Sequence, residues 1–144
     1  MARIKIEVPD QRLAEIHIPV RITDMNYGNH VGNDAVVSII HEARVQFLKK
    51  GGFTELNIGG PGLIMADLAV EYLRELFYGD QLIISMAVAE ITRLSFELYY
   101  EIKAQREQDI FIAAKAKTTM VCYDYPAGKL TPVPDTFKKF LAQV

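Results

Sequence analysis

The chain has 144 residues, half of them hydrophobic and 24% charged, which is enough apolar material for one domain with a buried core and excludes a disordered polymer. Its 16 basic and 18 acidic side chains leave a formal net charge of -2, so nothing favours a sequence-independent grip on nucleic acid or on an anionic membrane. A single cysteine, Cys122, excludes an internal disulfide framework, and no His/Cys cluster with metal-ligand spacing occurs. No apolar run is long enough to span a bilayer, and the expectation is a soluble, cytoplasmic protein without a metal.

Taken in order, Ile16, Ile18, Val20 and Ile22 alternate with polar residues and predict a half-buried strand, with Pro19 placing it at a sheet edge. The segment Thr23-Asp24-Met25-Asn26-Tyr27-Gly28-Asn29-His30-Val31-Gly32-Asn33 follows and concentrates acid, amide, imidazole and glycine in one connection. Glycines 28 and 32 would permit backbone geometries closed to other residues, and Asn33 is expected to cap the next helix. Asp24 reads either as an Asx-turn residue or as a catalytic carboxylate. Asn26 reads either as a residue in the left-handed backbone region or as part of a site. His30, beside two glycines and a helix start, has little packing purpose and is the clearest site candidate.

Val36, Val37, Ile39, Ile40, Ala43, Phe47 and Leu48 predict a helix, apolar over much of its circumference, that ends at Gly51-Gly52. From Gly62 the period becomes two. Ile64, Ala66, Leu68, Val70 and Tyr72 predict one face of a strand, and Leu82, Ile84, Met86 and Val88 predict the next. Leu94, Phe96, Leu98, Tyr100 and Ile102 give the sharpest alternation, before a polar turn and a long strand near Ile110 to Tyr123. Pro134 and Asp135 open a short helix with Phe137, Phe140 and Leu141 on one face. The economical architecture over 1–144 is a single α+β domain, a bent antiparallel sheet wrapped on the first helix.

Three features resemble the hot-dog thioesterases, especially the 4-hydroxybenzoyl-CoA thioesterase and acyl-CoA thioester hydrolase branch. They are the Asp-x-x-x-x-x-His-Val-x-Asn run from Asp24 to Asn33, the His41-Glu42-Ala43-Arg44 segment, and Val70-Glu71-Tyr72-Leu73 leading to Gly79-Asp80. The resemblance implies hydrolysis of an acyl-CoA or acyl-carrier-protein thioester, with CoA entering as part of the substrate and no other cofactor. It further implies a homodimer, with dimers of dimers as the next assembly. Many members of that branch place a catalytic aspartate where this chain has Asn26, and an amide cannot serve as that base. Plant acyl-acyl-carrier-protein thioesterases offer a second comparison, because a functional glutamate in their Glu-Tyr-Arg-Arg-Glu-Cys run aligns with Glu75; this chain departs from them at Gly28 and Leu76.

The resemblance therefore nominates Asp24, Asn26, His30 and Glu75 as catalytic, and Tyr27, Gly28, Val31 and Asn33 as substrate-binding, with Phe53, Met65 and Tyr72 as further tunnel residues. The alternatives are a non-catalytic acyl-CoA binding protein, suggested by Asn26, and a hydratase or dehydratase on the same scaffold.

Overall fold

The computed structural model describes residues 1–142. The chain runs β1 (Ala14–Pro19), a short 3-10 turn (Ile22–Asp24), α1 (Asn33–Lys50), β2 (Gly62–Tyr72), β3 (Gln81–Ala89), β4 (Ser95–Arg106), β5 (Asp109–Asp124), β6 (Lys129–Leu130) and α2 (Asp135–Ala142). All strand pairs are antiparallel, in the order β1-β3-β4-β5-β2, with β6 attached to β5. This is the α+β hot-dog arrangement expected from the residue pattern.

Strand β4 follows the alternation closely: Phe96, Leu98, Tyr100, Ile102 and Ala104 are buried against α1, and the residues between them face outward. Strand β1 lies at the sheet edge, where Pro19 costs no ladder hydrogen bond. It stops at Pro19, and Ile22 is exposed in the 3-10 turn instead of extending the strand.

Strand β2 departs from the simple two-residue period. Between Met65 and Asp67 the register with β5 shifts, leaving Ala66 as a bulge. An extra residue reverses which parity faces the core. Leu63 is accordingly buried before the bulge, Leu68 and Val70 are half-buried after it, and Ile64 and Ala66 are exposed. A second shift opposite Ile102 and Lys103 makes Ala113 the extra residue of β5, and both Ala113 and Ala114 are buried.

Helix α1 buries Val36, Ile39, Ile40, Ala43, Phe47 and Leu48, while Ser38, His41, Glu42, Val45 and Lys49 form an exposed stripe. It is covered less completely than its apolar count suggested, because its charged residues share one face. Arg44 is the exception and is buried. Its Nε donates to Glu55 Oε2 at 3.0 Å and its Nη1 to the Tyr100 hydroxyl at 3.2 Å, and that hydroxyl pairs with Thr118 Oγ1 at 2.8 Å. His41 pairs with the same Glu55 from the surface.

Helix α2 closes one end of the core. Phe137 packs its ring 5.0 Å from Phe53 and 5.4 Å from Phe96, and Phe140 lies 4.8 Å from Phe47. Phe53 is thus a core residue in place of the tunnel residue expected of it. Cys122 is buried, its thiol 3.5 Å from the Pro132 carbonyl, and burial pushes its pKa up.

Candidate active site

The motif between β1 and α1 folds into a small hairpin. Met25 and Val31 form an isolated antiparallel bridge, Asn26 N–H donates to His30 O at 2.8 Å, and Gly32 N–H donates to Asp24 O at 3.1 Å. Asn26 Oδ1 accepts the Gly28 N–H at 2.8 Å, an Asx-type turn. The residue in the left-handed region is Asn29, at φ 65°, and neither Asn26 nor either glycine of the motif occupies it. Gly28 is small because of space: a Cβ there would stand 3.2 Å from Asn26 Oδ1 and 3.3 Å from His30 Nε2.

Asp24 is buried at the base of this hairpin. Its carboxylate accepts the Arg21 N–H at 2.8 Å and the Arg21 guanidinium at 3.0 Å, so its oxygens are occupied in fixing the turn. Helix α1 then starts with Gly32 as its cap residue, at φ -67° and ψ 151°, and no side chain among the described residues caps it. Asn33 is the first helical residue, one place too late to cap as expected. The first-turn N–H groups are consequently open to an acceptor at the positive end of the helix dipole.

Pairing of β2 with β5 brings a second chain segment to this point. Val31 N–H donates to Leu76 O at 2.8 Å and the Tyr72 hydroxyl donates to Asn33 O at 2.9 Å. Burial, followed by the nearby Asp34, raises the Tyr72 pKa, which keeps the hydroxyl a donor. Between these two bonds lies a cleft of about 250 Å³. His30, Val31, Asn33 and Val36 form one wall, the stretch from Tyr72 to Leu76 the other, and Ala113 with Ala114 the floor. The β5 bulge shapes that floor, since Ala113 O accepts both Leu73 N–H at 2.9 Å and Arg74 N–H at 3.1 Å.

His30 is half-buried, and its Nδ1 lies 3.0 Å from the Val31 carbonyl. A carbonyl only accepts, so Nδ1 carries the proton in this contact, and Nε2 is the ring nitrogen left free of that bond. Glu75 is exposed on the opposite wall. Its backbone carbonyl is held by Arg106 Nη2 at 3.3 Å, and Arg106 in turn forks onto Asp80 at 2.9 and 2.8 Å.

Asp80 is buried and also accepts the Phe77 N–H at 2.8 Å. Burial by itself would raise its pKa, but Arg106 and the Phe77 amide outweigh burial and hold the carboxyl below the ordinary aspartate value. A depressed folded-state pKa contributes stability that is present above the unfolded value and disappears as pH falls through the folded one. Asp80→Asn is therefore expected to lower the thermal midpoint at neutral pH and to converge with the wild type in acid. Parallel melting curves across that range check this, and a constant gap between the two proteins would contradict it.

Of the expected residues, the cleft gathers His30, Val31, Asn33, Glu75 and the tunnel candidate Tyr72. Asp24 and Asn26 lie behind it in the hairpin, Gly28 adjoins His30 Nε2, and Tyr27 is fully exposed at the hairpin tip. Met65 is exposed on β2, away from the cleft lining. Arg74, Ala113 and Ala114 were not anticipated, because only the bulged β2–β5 pairing assembles them. Among the described residues no group of three or more His, Cys, Asp or Glu could hold a metal, and no helix is long and apolar enough to cross a membrane.

Residues 20–141 match the model of the thioesterase-like superfamily. A 1,4-dihydroxy-2-naphthoyl-CoA hydrolase of Nostoc punctiforme is 30% identical over 128 residues, covering 85% of this chain and 82% of the relative. Among solved structures, a 1,4-dihydroxy-2-naphthoyl-CoA thioesterase from Synechocystis superposes with a TM-score of 0.80 at 20% identity, covering 90% of this chain and 96% of that one. An aspartate-to-asparagine mutant of 4-hydroxybenzoyl-CoA thioesterase, complexed with 4-hydroxybenzoyl-CoA, gives a TM-score of 0.79 at 15% identity, covering 89% and 97%.

Proposed function

The chain belongs to the thioesterase-like superfamily, and from that premise we propose that it hydrolyses an acyl-CoA thioester in the cleft between the His30 hairpin and the Tyr72–Leu76 segment. The observation that carries this reading is the convergence of an oriented imidazole, an exposed carboxylate and an uncapped helix start on one cleft. Thioester hydrolysis needs a base for water, a site for the oxyanion and a proton for the leaving sulfur.

In the proposed reaction Glu75 takes a proton from water while His30 Nε2 accepts that water's second hydrogen and aims it. The hydroxyl oxygen adds to the carbonyl carbon, and the first-turn N–H groups of α1 take the charge that gathers on the carbonyl oxygen. The C–S bond then breaks, and Glu75 returns its proton to the thiolate, giving acid and thiol. Asn26 acts one step back, holding the turn that carries His30, while Asp24 and Arg21 hold its base. Val31 and Asn33 line the acyl path.

An aromatic acyl group is the proposed substrate class, supported by the naphthoyl-CoA relative of similar length. A thiol-release screen comparing hydroxylated aromatic acyl-CoAs with short and medium aliphatic ones tests it; faster turnover of aliphatic substrates would overturn the aromatic assignment. One second reading is binding without cleavage, supported by Asn26 standing where the family resemblance expects a catalytic aspartate.

The proposed assembly uses β2, the last strand in the sheet order, which among the described residues has no strand on its outer side and exposes Ile64 and Met65, while Leu63 bonds Glu55 and Tyr125 and the Tyr72 carbonyl accepts from Arg3. Unpaired edges are templates for further strands, and the proposed partner is a second copy joined edge to edge. Light scattering should return twice the 16.3 kDa chain mass, and a stable monomer would count against this assembly.

A further inference from the structure

Glu75 sits in the connection from β2 to β3, residues 73–80, which belongs to no helix or strand. A general base works only when held within about 0.5 Å of its productive geometry, and a segment of this kind needs fixing from outside. The bonds that fix it are made to its backbone. Leu73 and Arg74 N–H bond Ala113 O before Glu75, and Leu76 O accepts the Val31 N–H at 2.8 Å after it, which ties the segment to the His30 hairpin. At Glu75 itself the bond comes from a side chain, Arg106 Nη2 at 3.3 Å from its carbonyl.

Strand register puts that side chain there. Gln81 pairs with Gln105 across β3 and β4, so Asp80, one residue before β3, comes level with Arg106, the last residue of β4. Asp80 is buried and faces two ways. Its Oδ1 and Oδ2 accept Arg106 Nε and Nη2 at 2.9 and 2.8 Å, and Oδ2 also accepts the Phe77 N–H at 2.8 Å. The Arg106 guanidinium lies 4.7 Å from the centre of the Phe77 ring and 4.8 Å from that of Phe111. A forked and stacked guanidinium has a fixed plane and a fixed direction. Carboxylate and guanidinium together therefore grip the chain on both sides of the buried Leu76, at Phe77 and at Glu75.

We propose that the Asp80–Arg106 pair is a clamp that sets Glu75 against His30, which makes both members positioning residues for the hydrolysis. The assignment rests on the hydrolytic reading above, so its test includes a measurement that needs no turnover.

Arg106→Gln and Arg106→Lys are assayed in the whole protein with one acyl-CoA, each alone and combined with Glu75→Gln. Both single variants should lower kcat about 10- to 100-fold with KM within a few fold, because misplacing a reacting group costs rate more than binding. Lysine keeps a charge beside Asp80 and should hold the thermal midpoint closer to wild type than glutamine does. It cannot fork onto Asp80 and reach the Glu75 carbonyl together, so the rate should not return with the stability. In the Glu75→Gln background neither change should lower the residual rate further, since the group being positioned is gone. The same fractional loss with and without Glu75, unchanged kcat in Arg106→Gln, or a kcat that follows the thermal midpoint through both variants would each overturn the proposal. A wild type that releases no thiol would remove the hydrolytic reading, and amide exchange then decides the clamp. Faster exchange of the Phe77 and Val31 N–H groups in Arg106→Gln would uphold its grip on this wall, and unchanged exchange would overturn it.

Discussion

Replacing His30 by alanine is expected to lower kcat for thioester hydrolysis by about 10²- to 10⁴-fold, the span associated with one positioned acid–base group, while KM stays within a few fold. The loss should be chemical because, among the described residues, the imidazole bonds only the carbonyl of its neighbour Val31 and is half-buried at the rim, so its removal leaves the core intact. Glu75→Gln should fall in the same range, since glutamine keeps the shape and cannot take a proton at neutral pH. Steady-state kinetics with one acyl-CoA checks both variants. Unchanged kcat in either would remove that residue from the mechanism. Asn26→Ala should cost less than either, because its contact is with the turn backbone and not with the cleft.

The second large effect is on stability. Arg44→Ala should destabilise the fold by about 3 kcal/mol, at the lower end for a broken buried ion pair, because Glu55 keeps partial exposure and the His41 contact. The Tyr100 hydroxyl would retain Thr118 but lose its charged partner. For a chain of this size the thermal midpoint should drop by roughly 10 °C. Combining Arg44→Ala with Glu55→Gln should cost less than the sum of the single changes, since the second removes the charge that the first strands. Additive losses, or a single loss below about 0.5 kcal/mol, the ordinary span of surface changes, would contradict the network.

Legibility from the sequence followed how local each determinant is. Strand β4 and the edge position of β1 could be read because side-chain alternation and the missing proline N–H act within a few residues. Helix α1 was legible in extent. Its cap was not: Gly32 and Asn33 differ by one position, and backbone angles decide between them. The extra residue at Ala66 reverses the facing of β2, a change that no count of apolar residues reveals. Glu55 meets Arg44 only after the chain has turned back from α1, so the pairing depends on tertiary packing. The hairpin was recognisable as a site by composition. Its opposite wall was half legible, with Glu75 reached through resemblance and Arg74 hidden until the fold brought both into the lining of one cleft with His30.

Asn26 makes the choice between cleavage and mere binding the point on which everything else turns. The most direct measurement follows thiol release and ligand binding together, using one hydroxylated aromatic acyl-CoA with wild type and Glu75→Gln. The expected result is multiple turnovers by the wild type, and binding of comparable strength without thiol release by the variant. Binding by the wild type with no thiol released would contradict the account, and so would equal turnover by both proteins.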